Sequence, residues 1–349
     1  MTEKLNAVLI GLGMVADTHL RALADLQDQV YLQGVFARGT EAREAFGQLV
    51  RERCGYTPAL YSSIEDVVRS APDFVILATP PNARSEIVDA VAVAGIHILM
   101  EKPIERDSTR AEKIVSRCEE VGVHLGIVFQ HRVREASVEL RKKLEAGTFG
   151  ALCVVEAAVP WWREQSYYDE PGRGTYERDG GGVLISQAIH TLDLMLSLTG
   201  PVSAVQALAR TTAAHEMESE DFVSAGLEFA NGAVGSLTAS TASYPGGAES
   251  LTFHFEKASA VLKSGKLSVA WRDGRCEEFG ADTATGGGAD PMAFTHDWHT
   301  GIFRDFTEAL FEDRSPLVTG REALAVHRLI DAIIESSRTR TAVELEKVR

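Results

Sequence analysis

Gly11-Leu12-Gly13-Met14-Val15-Ala16 has the G-x-G-x-x-G/A spacing of a dinucleotide phosphate cradle, directly after a short apolar run and ahead of a helical segment. Gly11 permits the tight turn, Gly13 lets backbone approach a pyrophosphate, and Ala16 keeps the helix near the sheet, so its N-terminal N–H groups face the anion. A second candidate, Met100-Glu101-Lys102-Pro103, ends another apolar run and puts a lysine at the carboxyl edge of a parallel sheet, where open α/β folds bind ligands. A third lies in a helix predicted over Val183 to Leu198, apolar almost all round, where Ser186, His190 and Asp193 fall at i, i+4 and i+7 on one stripe. A histidine titrating near neutrality suits taking a proton from a hydroxyl while hydride leaves its carbon, and a lysine beside that hydroxyl suits orienting it and stabilising negative charge on oxygen. His190 is the candidate base and Lys102 the candidate partner. The competing account makes His190 a core histidine bonded to Asp193.

Gly180 to Gly182, just ahead of that helix, would let backbone pass close to a ligand. Trp161-Trp162-Arg163, Tyr167-Tyr168 and Arg173 to Tyr176 form an aromatic and arginine-rich stretch, in which rings can stack on sugar C–H faces while Arg163 and Arg173 fork onto a carboxylate or phosphate. An exposed interface loop is the equal alternative. His296 and His299 stay open between site and structure. For the cofactor, the second apolar run ends in Ala37-Arg38-Gly39-Thr40, where NAD-preferring folds usually place an acid. Arg38 there, with Thr40 as a further donor, would accommodate a 2′-phosphate, so NADP is expected over NAD; stacking of Arg38 on adenine would serve both.

These residues need elements to carry them. Short apolar runs at Ala7 to Ile10, Tyr31 to Ala37, Phe74 to Ala78, Ile96 to Met100 and Leu125 to Phe129 are too continuous for half-exposed strands and alternate with helical segments at Thr40 to Arg53, Ser85 to Val93 and Ser108 to Val121. That is the grammar of a parallel sheet, an α/β N-terminal Rossmann domain over residues 1–130. From about Leu152, strand-like stretches near Val202, Phe222, Ala233, Leu251 and Ala260 follow with few helices and a hairpin signal at Ala230-Asn231-Gly232. Residues 131–349 therefore read as an α+β C-terminal domain with a large, mostly antiparallel open sheet, for substrate binding and oligomerisation. Late helices from about Trp298 to Phe311 and Arg321 to Ser337 pack back on the first domain in this scheme, and Gly286-Gly287-Gly288 reads as a loop.

The chain has 349 residues, 45% hydrophobic and 24% charged, enough for two cores. A net charge of −15 opposes a phosphate backbone, so no nucleic-acid partner is expected. Met1-Thr2-Glu3-Lys4 lacks a signal peptide's basic region and long apolar stretch, and no run is long enough for a bilayer, so the expected address is the cytoplasm and no membrane partner. Cys54, Cys118, Cys153 and Cys276 form no C-x-x-C pair and read as reduced structural thiols; no metal is expected.

In order, the glycine loop, Thr79-Pro80-Pro81, Glu101-Lys102-Pro103, Asp179 to Leu184 running into Gln187 to Asp193, Phe229 to Ala233, and Asp305-Phe306 with Ala309-Leu310 are similar to motifs of the Gfo/Idh/MocA family of sugar and cyclitol dehydrogenases. The resemblance covers nearly the whole chain. It implies an NAD(P)-dependent oxidoreductase moving hydride between nicotinamide and a hydroxyl carbon of a sugar, cyclitol or nucleotide sugar, with Lys102 and His190 catalytic. Gly11, Gly13, Met14, Val15, Ala16, Ala37, Arg38, Thr79, Pro80, Asn82, Glu101 and Lys102 would bind the cofactor. Arg163, Tyr168, Arg173, Asp179, Ser186, Gln187 and Asp193 would bind substrate, and the stretch from Trp161 to Tyr176 looks closest to members handling nucleotide-linked or acidic amino sugars. Family members often carry Asp or Asn in place of Ser186 and His in place of Arg84. Other uses of the fold are a non-catalytic cofactor-binding regulator and a sugar-modifying enzyme with transient redox use of a tightly bound cofactor. An uncovered sheet face predicts a homodimer or homotetramer, on the expectation that it exposes a large apolar patch.

Overall fold

The computed structural model describes residues 4–283 and 294–345; the Gly286-Gly287-Gly288 loop and Met1-Thr2-Glu3 lie outside the described residues. The chain forms two compact units, one running to Glu105 and including Thr109–Gln130 and His296–Leu324, the other including Arg106–Ser108, His131–Thr295 and the chain from Ala325 onward.

In the first unit β1 (Leu5–Ile10), α1 (Ala16–Asp25), β2 (Val30–Phe36), α2 (Thr40–Cys54), β3 (Ala59–Tyr61), α3 (Ile64–Arg69), β4 (Phe74–Leu77), α4 (Ser85–Val93), β5 (His97–Glu101), α5 (Ser108–Val121) and β6 (Leu125–Val128) alternate. The six strands are all parallel, in the order β3-β2-β1-β4-β5-β6. Ala7 to Ile10 and Phe74 to Leu77 are 0% exposed, as strands buried on both faces require. The order reverses between β1 and β4, which puts their carboxyl ends at the switch point where such sheets bind nucleotides. β3 is absent from the sequence expectation because its three residues include no fully buried side chain, and so leave no apolar run to read. The helix Asp297–Glu312 belongs to this unit. Its Phe306 packs against Phe74 with ring centroids 5.5 Å apart, and against Gly126, where a Cβ would stand 2.6 Å from the ring.

The remaining elements are α6 (Glu135–Glu145), β7 (Leu152–Pro160), α7 (Gln165–Tyr168), α8 (Ile189–Thr199), β8 (Val202–Arg210), β9 (Phe222–Phe229), β10 (Val234–Ser240), β11 (Ser250–Phe255), β12 (Ala258–Lys263), β13 (Lys266–Trp271), β14 (Cys276–Phe279), the helix just described (α9), α10 (Gly320–Thr339) and β15 (Val343–Glu344). The second unit holds a nine-stranded sheet ordered β14-β13-β12-β11-β7-β10-β9-β8-β15, in which β7 and β10 run parallel and every other neighbouring pair antiparallel. The expected hairpin joins β9 to β10, with Gly232 at φ +89° and the Phe229 N–H on the Ala233 carbonyl at 2.9 Å. Strands β13, β14 and β15 were not expected: β14 is Cys-Glu-Glu-Phe with no buried residue, and β15 has two residues. Val155, Ala157 and Val159 of β7 turn inward towards α8, while Glu156, Ser224, Gly226, Ser236 and Thr238 face out. That outer face is built of small and hydroxyl side chains and not of the large apolar patch expected, although Leu208 and Val234 stand about half exposed on it. Among the described residues no helix is long and apolar enough to cross a membrane.

Candidate active site

The glycine loop leaves the end of β1 through Gly11, whose φ of +98° few side chains tolerate and whose N–H donates to the Phe36 carbonyl at 2.9 Å. A Cβ on Gly11 would stand 2.7 Å from backbone atoms of Ala78 and Thr79, so this glycine is required by the chain's own packing at the switch point. Gly13 differs: a Cβ there would meet nothing within 4 Å among the described residues. It borders an open space at the start of α1, a fit for the pyrophosphate of a dinucleotide, whose anionic oxygens the helix N-terminus favours. Met14 is 51% exposed beside it, Val15 precedes the helix, and Ala16, 2% exposed, packs inward.

At the end of β2, Arg43 is buried and donates to the carbonyls of Ala37 and Arg38 at 2.6 and 3.1 Å and to the Thr40 hydroxyl at 2.9 Å. This second arginine, unnoticed in the sequence, shapes the turn and leaves the Arg38 side chain in solvent. Thr79 and Pro80 follow β4, and Asn82 is exposed in the short turn after them. Arg84, 2% exposed, fastens this turn to the next motif by donating to the Thr79 carbonyl and to the carbonyls of Glu101 and Pro103. Burial pulls Arg84 down to about 10, still charged at neutral pH. Its role here is structural, which accounts for a long cation at a position where the family often has histidine.

Glu101 ends β5 as a buried carboxylate, and its Oε2 accepts the Lys102 backbone N–H at 3.1 Å. Its Oε1 lies 3.1 Å from His19 Nε2 and 3.8 Å from His299 Nε2. Burial pushes the carboxyl up, but the close His19 contact and the charges of His19, His299 and Lys102 bring it down to about 2. His299, left open in the sequence, is thus an inward-facing structural neighbour of Glu101, and burial together with His19 pushes it down to about 3. His296 pairs instead with Asp25, Nε2 to Oδ2 at 3.0 Å.

In the second unit the glycine run packs differently from the expectation. A Cβ on Gly180 would lie 2.5 Å from Arg106 backbone, and one on Gly182 would lie 1.8 Å from the Glu220 carbonyl oxygen, so these two glycines are required by the chain's own packing. Glu220, 4% exposed, accepts from the N–H groups of Gly182 and Leu184 and so caps the following helix. That helix opens as one π-helical turn, Leu184–Ala188, before α8. The wider turn removes Ser186 from the continuous α-helical stripe with His190 and Asp193 that the spacing predicts. His190 is 7% exposed and stacks on His131 with centroids 5.0 Å apart. Asp193 does not stand open to a ligand: Arg132 grips both its oxygens at 2.8 and 2.7 Å, and the pair is buried.

The aromatic stretch gathers around Tyr167. Arg173 lies over its ring at 4.3 Å and Arg163 at 5.7 Å, Arg163 also covers Trp161 at 5.2 Å, and the Gln187 amide donates to the Tyr167 hydroxyl at 3.4 Å. Trp161 Nε1, Arg173 Nε and Gln187 Oε1 are buried without a hydrogen-bond partner among the described residues, which marks polar capacity that a ligand or water would meet. Other expected ligands are engaged. The Tyr168 hydroxyl bonds Thr241 at 2.7 Å, Asp179 accepts the Gly174 N–H at 2.8 Å, and Arg173 pairs with Glu170. His215, unmarked in the sequence, links Asp221 and the Arg163 carbonyl, both at 2.8 Å.

His19, Arg132 and Glu220 were missed because each acts on residues far away in sequence, which no local pattern shows; Arg43 acts on its own turn and His215 on Asp221 and Arg163, without a motif to mark either. His19 left one readable trace, a histidine on the otherwise apolar stripe Ala16, Leu20 and Leu23 of α1.

Residues 5–129 match the family described as "Oxidoreductase family, NAD-binding Rossmann fold", and residues 137–261 match the "GFO/IDH/MocA C-terminal domain". The rhizopine catabolism protein MocA of Rhizobium meliloti is 28% identical over 207 residues, 58% of this chain and 61% of that protein, so the match spans about three-fifths of the relative's length. The UDP-N-acetylglucosamine 3-dehydrogenase of Acidithiobacillus ferrooxidans is 30% identical over 239 residues, 66% of each chain. Over the full length, the WlbA dehydrogenase of Bordetella pertussis, solved with NADH and UDP-GlcNAcA, superposes with a TM-score of 0.83 at 29% identity, covering 99% of this chain and 100% of that one.

Proposed function

The chain belongs to the Gfo/Idh/MocA oxidoreductase family, and from that premise we propose that it is an NAD(P)-dependent dehydrogenase acting on a CH–OH group of a nucleotide-linked or acidic sugar. The observation that carries the reading is the open cradle at Gly13 in the same parallel sheet whose β5 end presents Lys102. A nicotinamide cofactor held at the glycine loop would supply the hydride acceptor. Lys102 holds the hydroxyl oxygen and stabilises its negative charge, and His190 takes the hydroxyl proton, leaving a carbonyl product, reduced cofactor and a protonated imidazole. The unit that begins the chain binds the cofactor, and the unit with the nine-stranded sheet binds the sugar.

The Tyr167 cluster supports the substrate class. Two guanidiniums over one ring, with the unpartnered Trp161, Arg173 and Gln187 atoms beside them, suit a flat polar ligand bearing a carboxylate or phosphate. One relative named for UDP-N-acetylglucosamine and another solved with UDP-GlcNAcA support the same chemistry. NADP is favoured over NAD because Arg38 is exposed with no acid at the end of β2. A homodimer or homotetramer through the outer face of the nine-stranded sheet is part of the proposal, supported there by the half-exposed Leu208 and Val234 on an otherwise small-residue surface. Unpaired Cys153 and Cys276 at the surface suit a reducing, cytoplasmic setting.

The test is a panel of UDP-sugars, UDP-sugar acids, free sugars and cyclitols with each cofactor, read by absorbance of reduced nicotinamide. Cofactor reduction with a UDP-linked acidic sugar is expected. Tight binding of the cofactor with no turnover of any member would overturn the reading.

A further inference from the structure

Glu101 is a carboxylate with 7% exposure, one residue before Lys102, and it is held from beneath by two histidines from different helices. His19 comes from α1, the helix that the glycine loop opens, and is 0% exposed; His299 comes from α9 and is 1% exposed. Their rings meet edge to face with centroids 5.5 Å apart, and Phe303 closes the other side of His19 at 5.4 Å. One oxygen of Glu101 faces both imidazoles and the other accepts the Lys102 N–H. From the opposite side Arg84 takes the carbonyls of Glu101 and Pro103.

We propose that His19, with His299, clamps Glu101 and thereby positions Lys102, so that the helix bearing the glycine loop and the turn bearing the lysine are held by one buried cluster. This rests on the reading of Lys102 as a catalytic group. A buried carboxylate must keep a partner or lose its charge. Without His19, Glu101 has two courses: it takes up a proton and loosens the Lys102 turn, or it swings towards the ammonium of its own neighbour. Both withdraw Lys102 from the substrate hydroxyl. His19 is therefore a positioning residue, acting on the reaction only through Glu101.

The groups facing Glu101 are His19 from α1, His299 from α9 with His296 behind it, Lys102 on its own strand end, and Arg84 with Glu105 beyond. Burial opposes the charged carboxylate and the His19 contact offsets it. Removing His19 raises the carboxyl's titration, whereas in the intact cluster Glu101 stays ionised down to about pH 2.

The experiment compares wild type, His19→Ala, His19→Gln and Glu101→Gln for thermal melting, cofactor affinity, the pH dependence of kcat and the 13C titration of the Glu101 carboxyl, assigned through the Glu101→Gln spectrum. A misplaced lysine is expected to lower kcat about 10- to 100-fold in His19→Ala. Cofactor affinity stays within about 3-fold, an acid limb enters the kcat profile, and the Glu101 carbon titrates at higher pH than in wild type. His19→Gln, which keeps a donor near the Nε2 position, restores most of kcat. If His19→Ala does not fold, Glu101→Gln carries the test, since it removes the clamped charge with an isosteric group and should lower kcat to a similar degree. Wild-type kcat and pH profile in either folded variant, or a Glu101 carbon in His19→Ala that titrates as in wild type, would overturn the proposal. The carbon titration needs no turnover, so a wild-type protein without dehydrogenase activity would sink the functional reading while leaving the clamp to be judged on its own.

Discussion

Substitution at the two glycines of the cofactor loop separates folding from binding. Gly13→Val places a Cβ where no atom of the described residues lies within 4 Å, and Gly13 has no positive φ to strain it. Its folding cost should stay within about 1 kcal/mol, as for surface changes away from packed features. The valine methyls would instead occupy the space where backbone N–H groups meet the pyrophosphate. Losing two charge-assisted hydrogen bonds of about 1.5–3 kcal/mol each weakens binding by about 3–6 kcal/mol, on the order of a hundred- to ten-thousand-fold. Gly11→Ala reverses the pattern. A φ of +98° costs an alanine about 1–2 kcal/mol, and a Cβ 2.7 Å from Ala78 and Thr79 backbone adds a steric cost that only a shift of β1 against β4 relieves. At about 2–4 °C per kcal/mol, a total of about 2–4 kcal/mol lowers Tm by roughly 4–16 °C. Differential scanning fluorimetry with and without cofactor, and isothermal titration for Kd, read both quantities. Cofactor affinity within about 3-fold of wild type in Gly13→Val, or a wild-type melting curve for Gly11→Ala, would refute the division of labour between the two glycines.

Lys102→Met and His190→Ala are each expected to lower kcat by about a hundred- to ten-thousand-fold with cofactor Kd little changed, measured by steady-state kinetics on the substrate the panel identifies. Near-wild-type turnover in either one removes that residue from the mechanism. Arg38→Ala should cost NADP affinity far more than NAD affinity in parallel titrations; an equal loss for both would mean that the guanidinium stacks on adenine. Arg132→Leu strands the buried Asp193 carboxylate and should destabilise by about 3–5 kcal/mol in urea denaturation, whereas a loss below about 1 kcal/mol would mean the pair is not the anchor of α8. Light scattering at micromolar concentration should report a dimer or tetramer, with Thr238→Arg on the outer sheet face shifting it towards monomer; a wild-type monomer sinks the association reading.

How far the sequence could be read followed how local each cause was. Ser85–Val93 and Ser108–Val121 lie where periodicity puts them, because each helix buries one stripe and ends at a chain signal. The central parallel strands were legible because burial on both faces leaves an unbroken apolar run. Edge strands β3, β14 and β15 were not, since their pairing is backbone to backbone and asks little of the side chains. In the second unit the outer sheet face shows the limit from the other side. Alternation reveals that one face is covered, but Ser224, Ser236 and Thr238 outside carry no mark of whether a partner or water meets them.

The site divides along the same line. Glycine loop, strand-end lysine and helix histidine could be read because a turn, a sheet edge and an apolar helix each constrain residues next to one another in sequence. The charges that hold those groups in place come from elsewhere in the chain: Arg84 for the Thr79 and Lys102 turns, His19 for Glu101, Arg132 for Asp193, Glu220 for the start of the π turn. The glycine run at Gly180 to Gly182 shows how this misleads. Three glycines before a catalytic-looking helix read as room for a ligand, yet at Gly180 and Gly182 the close neighbours are Arg106 and Glu220 backbone, and the small residues serve to bring Glu220 onto the helix start. A glycine therefore says that something comes close without saying what. Gly182 is pressed on its own chain and Gly13 borders a space beside a helix N-terminus, and it is that contrast on which the proposed binding role of Gly13 rests.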